Sequence, residues 1–183
     1  MSKIETDKII LIKPSKEYEE QAIEYKQEHF DNGEKIIHAC SRWDKMDNYN
    51  DWLKMLEEHS SYETMKDDWT VHTNFLGIRQ RDNKLVGMID VRNDLVNDFL
   101  RNYAGHIGYG VRPTERRKGY ATQMLKQALE YCKNELKLEK VMISCDKENI
   151  GSKKTIINAG GILEREYVTP EGENVQVHWI KFR

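Results

Sequence analysis

Arg116, Arg117 and Lys118 stand directly before Gly119. After it Met124, Leu125, Ala128, Leu129, Cys132 and Leu136 recur at helical spacing. That spacing predicts a long amphipathic helix beginning near Gly119. A helix start already carries about half a positive charge and unpaired N–H groups, so it favours Asp or Glu. Three cations there suit an anionic ligand, and Gly119 removes the side chain that would keep a phosphate from the backbone. The same pattern also reads as a solvated basic turn whose long side chains lie over the surface. Neither the G-x-x-x-x-G-K-[ST] loop nor the G-x-G-x-x-G fingerprint is present, so nucleotide hydrolysis and dinucleotide redox chemistry lack their usual cradle.

Just upstream, "GHIGYGV" alternates. His106, Gly108 and Gly110 share one face of a strand, and Ile107, Tyr109 and Val111 share the other. A strand bare at two positions admits a close ligand or a close backbone. His106 lies on that face, and its ordinary pKa of about 6.5 makes it the first candidate for a general base. The alternative is a histidine hydrogen-bonded at a strand edge. Asp90, Asp94 and Asp98 are further candidates for a base or for holding a cation, or are solvated turn residues. In the segment carrying Trp43, Asp44, Asp47, Tyr49 and Trp52, aromatic faces interleave with carboxylates, a combination that attracts an amine cation. The same tryptophans would equally anchor a helix in the core.

The elements that must position these residues follow from pattern. "KIILIKP" reads as a strand, and "SKEYEEQAIEYKQEHF" as a helix with Ser15 as its cap. "IIHACSRWDKMDNYNDWLKMLEEHSS" is a loop running into a second helix. "TVHTNFLGIRQ" and "KLVGMIDVR" form a hairpin through "RDN". "NDLVNDFLRNY" is a short helical excursion before the strand "AGHIGYGVRP", which Pro113 ends. After the Gly119 helix come the strand "KVMISCD", a helix capped near Asn149, and a final strand pair across "PEGE". The order predicts an α/β (α+β) fold with a mixed, mostly antiparallel central sheet flanked by helices, in one domain over residues 1–183.

The totals narrow the function classes. With 29 Lys plus Arg against 31 Asp plus Glu, the net charge is −2, which argues against a general nucleic-acid binder. The three cysteines are widely separated and read as reduced structural thiols, and the histidines lack a metal-ligand spacing, so no metal is assigned. No apolar run approaches the roughly 20 residues that span a bilayer, and the start is too polar for a secretory signal. A cytoplasmic protein without membrane partners is the expectation.

"RRKGYA", following a strand and opening a helix, resembles the acyl-CoA signature of the GNAT superfamily of N-acetyltransferases. Its fixed positions fall on Arg116, Gly119 and Ala121, and the order of elements across most of the chain is similar to the family's. The resemblance implies acetyl-CoA as acetyl donor. Its pyrophosphate would lie on the backbone of Arg116, Arg117, Lys118, Gly119, Tyr120, Ala121 and Thr122, with the pantetheine arm along Tyr109, Gly110 and Val111. An N–H near Val111 would hold the oxyanion. Asn149 matches the family's pantetheine-contacting asparagine, and Ser152 its small helical residue; as a residue in its own right, Asn149 reads as a helix cap. The family often has an acidic residue where this chain has Gly105 and His106. Its acid tyrosine corresponds here to Ile156. The resemblance therefore implies an N-acetyltransferase for a small-molecule or peptide amine, with a homodimer left open. A non-catalytic acyl-CoA-binding module is the alternative. The acceptor site is expected at Trp43, Asp44, Asp47, Asp90 and Asp94.

Overall fold

The computed structural model describes residues 7–67 and 69–183. Four strands form one antiparallel sheet in the order β1 (Ile9–Ile12), β2 (His72–Arg79), β3 (Lys84–Arg92), β4 (Ile107–Val111). Three form a second antiparallel sheet in the order β5 (Lys140–Asp146), β7 (Asn174–Lys181), β6 (Ile162–Val168). The helices are α1 (Glu19–Asp31), α2 (Tyr49–Glu58), α3 (Tyr120–Asn134) and α4 (Ile150–Asn158). The expected antiparallel sheet with flanking helices is therefore present, divided in two between β4 and β5. Ser15 does not cap: a short 3₁₀ turn at Lys16–Tyr18 precedes α1, and the Ser15 side chain makes no capping bond. Asn48 does cap α2, its Oδ1 accepting from the Asp51 N–H at 3.1 Å.

Each face of the four-stranded sheet carries its own core, as strand alternation requires. One core joins Val86, Ile89 and Ile107 to Met124, Leu125 and Ala128 of α3, with Val141 and Ile143 of β5 and Ile156 of α4. The other sets Leu76, Ile78 and Met88 against Tyr25 of α1 and the trio Trp43, Tyr49 and Trp52. Those three rings lie 5.3–5.5 Å apart. The indole N–H groups are satisfied inside, Trp43 donating to the Ala22 carbonyl at 2.8 Å and Trp52 to the Ser41 carbonyl at 2.9 Å. All three cysteines are buried and reduced.

The helical excursion before β4 is a π-helical turn, Leu100–Ala104, ending at Gly105. Gly105 has φ of +64°, and a methyl group there would stand 2.4 Å from the Met142 carbonyl oxygen. Only glycine lets the chain turn this close to β5. Immediately afterwards the His106 N–H donates to the Met142 carbonyl at 2.8 Å. This clip joins the two sheets; beyond it no ladder pairs β4 with β5 among the described residues.

Candidate active site

The gap between β4 and β5 opens into a cavity of roughly 660 Å³. Gly108 and Tyr109 of β4 form one wall and Ile143 to Asp146 of β5 the other. Asn149 and Ser152 of α4 border it. A wider side is lined by His38, Arg92, Phe99, Tyr103, Tyr167, Glu171 and Glu173. The cavity thus joins a slot between two strand edges to a chamber of polar and aromatic side chains.

The signature lies at the β4–α3 junction. Gly119 is the N-cap of α3 with φ of +81°, no side chain caps the helix, and its first turn has no acid. Its first-turn N–H groups are thus left for an outside acceptor, as a phosphate requires. The basic cluster is less unbalanced than its sequence suggests. Arg116 pairs with Glu34 at 2.7 Å and Lys118 with Glu115 at 2.8 Å, while Arg117 makes no ion pair among the described residues. Arg116 also donates from Nε to the Val111 carbonyl at 3.0 Å, so this carbonyl, expected to face the pantetheine arm, already has a partner within the chain. Glu115 receives Arg79 and Lys84 as well, each at 2.8 Å. Burial alone would raise its carboxyl, but these cations hold it down at about 2.

Asn149 caps α4, its Oδ1 accepting from the Ser152 N–H at 3.0 Å, and it borders the cavity at the same time. The Tyr109 side chain reaches across to α4, where its hydroxyl lies 2.8 Å from Ser152 Oγ. Burial pushes this phenol up to about 12. The bare face of β4 is covered at Gly110 and borders the cavity at Gly108. A methyl group at Gly110 would stand 3.0 Å from the His38 carbonyl oxygen, and one at Gly108 3.7 Å from Ala39 Cβ and Arg92 Nη2. Gly110 thus admits the backbone of the loop between α1 and α2.

His106, the expected base, is bonded to the backbone of β5. His106 Nδ1 accepts from the Met142 N–H at 3.0 Å, so the neutral ring carries its proton on Nε2 and has no free lone pair. Burial, together with the Arg92 charge, pushes this imidazole down to about 4. The acceptor residues expected from sequence lie apart from the cavity lining. Trp43 is fully buried, with Lys26 Nζ 3.9 Å from its ring centroid. Asp44 accepts from the Ile37 N–H and the Cys40 thiol, bracing its own loop. Asp47 is exposed near the start of α2. Asp90 is buried between Ser41 Oγ at 3.2 Å and Arg92 Nη2 at 3.1 Å. Asp94 is exposed and accepts from the Tyr62 hydroxyl. None of the five lines the cavity.

The model of the acetyltransferase (GNAT) domain matches residues 17–162. The chain belongs to the GNAT acetyltransferase family. Its fold is similar to a spermidine N-acetyltransferase from Vibrio cholerae, with TM-score 0.63 and 15% identity over 95% of this chain and 94% of that one. It is also similar to a candidate ribosomal-protein-serine acetyltransferase from Vibrio cholerae, with TM-score 0.62 and 16% identity over 97% and 96%. No curated protein matches the sequence. Within this GNAT acetyltransferase, sequence reasoning missed the chamber residues His38, Phe99, Tyr103, Tyr167, Glu171 and Glu173. They come from four separate segments without shared spacing, and the π-helical turn that places Tyr103 has no signature in the sequence.

Proposed function

We propose that the protein transfers the acetyl group of acetyl-CoA to a primary amine by direct attack in a ternary complex. The observation that carries this reading is the unpaired slot between β4 and β5, bordered by Asn149 and Ser152, beside a helix start whose N–H groups no side chain caps. The residues fit the donor: the α3 N-terminus and Arg117 would hold its phosphates, and the slot between Tyr109 and Cys145 would hold its arm. When bound, acetyl-CoA supplies an acyl carbon activated by a thiolate leaving group. The chain's own part is to align the amine and to accept its proton, since a free amine resembling lysine has a reference pKa of about 10.4. The histidine and the carboxylates that line the cavity are His38, Asp146, Glu171 and Glu173. These would receive that proton directly or through water, in preference to His106, whose Nδ1 already accepts from the Met142 N–H.

The test is incubation with acetyl-CoA and an amine panel, following free thiol and the mass of each amine. Acceptor-dependent thiol release with a matching gain of one acetyl group supports the proposal. Thermal stabilisation by CoA without any transfer would show a binding module instead.

A further inference from the structure

In β4 the even-numbered residues turn their backbone groups toward β3: the Arg92 N–H donates to the His106 carbonyl at 2.7 Å, and the Arg112 N–H to the Val86 carbonyl at 2.8 Å. Alternation therefore turns the N–H and C=O groups of Tyr109 and Val111 to the opposite edge, which is the slot. Arg116 occupies that edge. Its Nε donates to the Val111 carbonyl at 3.0 Å, and its Nη2 pairs with Glu34 Oε1 at 2.7 Å. A guanidinium thus lies across the end of the slot nearest the start of α3, held on both sides.

Glu34 is itself fixed. Asn32 Nδ2 donates to its Oε1 at 2.9 Å, and His29 Nδ1 lies 2.7 Å from its Oε2. His29 is buried, and burial lowers its pKa, so the ring is neutral and donates to Glu34 without balancing its charge. Arg116 is the one permanent cation paired with Glu34 among the described residues. The connection from β4 to α3 is clamped to α1 a second time, independently of Arg116. Glu28 Oε1 accepts from the Thr114 N–H at 2.9 Å and from its hydroxyl at 2.8 Å, and Glu28 Oε2 lies 3.6 Å from Arg112 Nη1. The Arg116 contact can therefore open without the connection coming loose.

We infer that Arg116 is a latch on the donor site, which Glu34 holds across the slot and which the donor's phosphates open by competing with Glu34 for the guanidinium. This rests on the acetyl-CoA reading above. The competition favours the donor, because its phosphates also gain the uncapped N–H groups of α3, to which Glu34 makes no bond. Once Arg116 turns away, the Val111 carbonyl is free on the slot edge and Glu34 has lost its cation. Glu34 begins the loop whose His38 carbonyl packs on Gly110 and whose His38 and Ala39 line the cavity, so donor entry loosens the wall of the chamber on the acceptor side.

The experiment is calorimetry of CoA binding to the wild type, Glu34→Gln, Arg116→Gln and the double variant. Glutamine keeps oxygen for His29 and Asn32 and loses the charge. Glu34→Gln should lower the CoA dissociation constant about threefold, the scale of one partly exposed ion pair, and should change nothing in the Arg116→Gln background. An unchanged or raised constant in Glu34→Gln would overturn the latch. The same gain in both backgrounds would also overturn it, because Glu34 would then act by repelling the phosphates directly. Hydrogen exchange tests the wild type without any variant. The Glu34 and Ile37 amides, which donate to the His29 carbonyl at 3.1 Å and to Asp44 Oδ2 at 3.2 Å, should exchange faster when CoA saturates the protein, and equal or slower exchange there would overturn the latch as well. Failure of the acetyl-CoA reading shows separately, as absence of CoA binding to all four proteins, and removes both.

Discussion

His106 Nδ1 accepts the Met142 N–H at 3.0 Å while its own backbone N–H donates to the Met142 carbonyl at 2.8 Å, so a single residue clips the two sheets where they begin to part. The ring must be neutral to accept that bond. Its folded pKa lies near 4, below the unfolded value near 6.5, so the unfolded chain binds more protons between the two. The stabilisation is complete above pH 6.5, falls as pH drops from there toward 4, and amounts to about 3 kcal/mol. His106→Gln should flatten the pH dependence of urea unfolding across this window. The same variant should keep any ascending limb of the pH–rate profile, because the Nδ1 lone pair of His106 is already occupied by the Met142 N–H. Loss of that limb in folded protein would restore the catalytic role.

Gly119→Asp tests the donor site. It adds a carboxylate and a Cβ where φ is +81°, at the uncapped start of α3. The CoA dissociation constant by calorimetry should rise about tenfold or more. Unchanged affinity in folded protein would place the phosphates elsewhere.

Tyr109→Phe removes the hydroxyl that joins β4 to Ser152. Stability should fall by about 1 kcal/mol, the net worth of one such bond. The KM for acetyl-CoA should rise severalfold, because the first turn of α4 loses its tie to the slot; steady-state kinetics with a saturating amine would measure it. By contrast Ile156 is fully buried, so Ile156→Tyr should destabilise by about 1–3 kcal/mol through overpacking and gain no turnover.

Glu115→Gln leaves Arg79, Lys84 and Lys118 without their shared carboxylate. Arg79 is itself buried, so the loss should be about 3 kcal/mol by denaturant unfolding. Glu115 contributes stability above its unfolded pKa near 4.3, and this is lost as pH falls toward its folded value near 2. The variant's stability should therefore depend less on pH across that range.

The elements were legible because periodicity and turn chemistry are local: the RDN hairpin, the Gly119 start of α3 and the Asn149 cap of α4 each lie within a few residues of their signal. Pairing across distance was not. Arg116 and Glu34 are far apart in sequence, so a cluster partly balanced in space looks fully unbalanced along the chain. Tyr109 was placed on the correct face by alternation, yet its partner Ser152 depends on how α4 docks. The tryptophans at 43 and 52 had two readings from sequence, and the packing of α2 on the sheet decides for the core.

The three thiols lie inside the protein, and burial pushes Cys40 and Cys132 up to about 12 and raises Cys145. At pH 7 a group of pKa 12 is ionised in about one molecule in 10⁵, and only the thiolate attacks a disulfide or alkylating reagent. Colorimetric disulfide reagents should therefore score the released coenzyme with Cys40 and Cys132 near-silent, while Cys145 borders the cavity. Conversely, reaction at Cys40 or Cys132 counts molecules that have opened, which makes their labelling rate a gauge of how often the fold breathes.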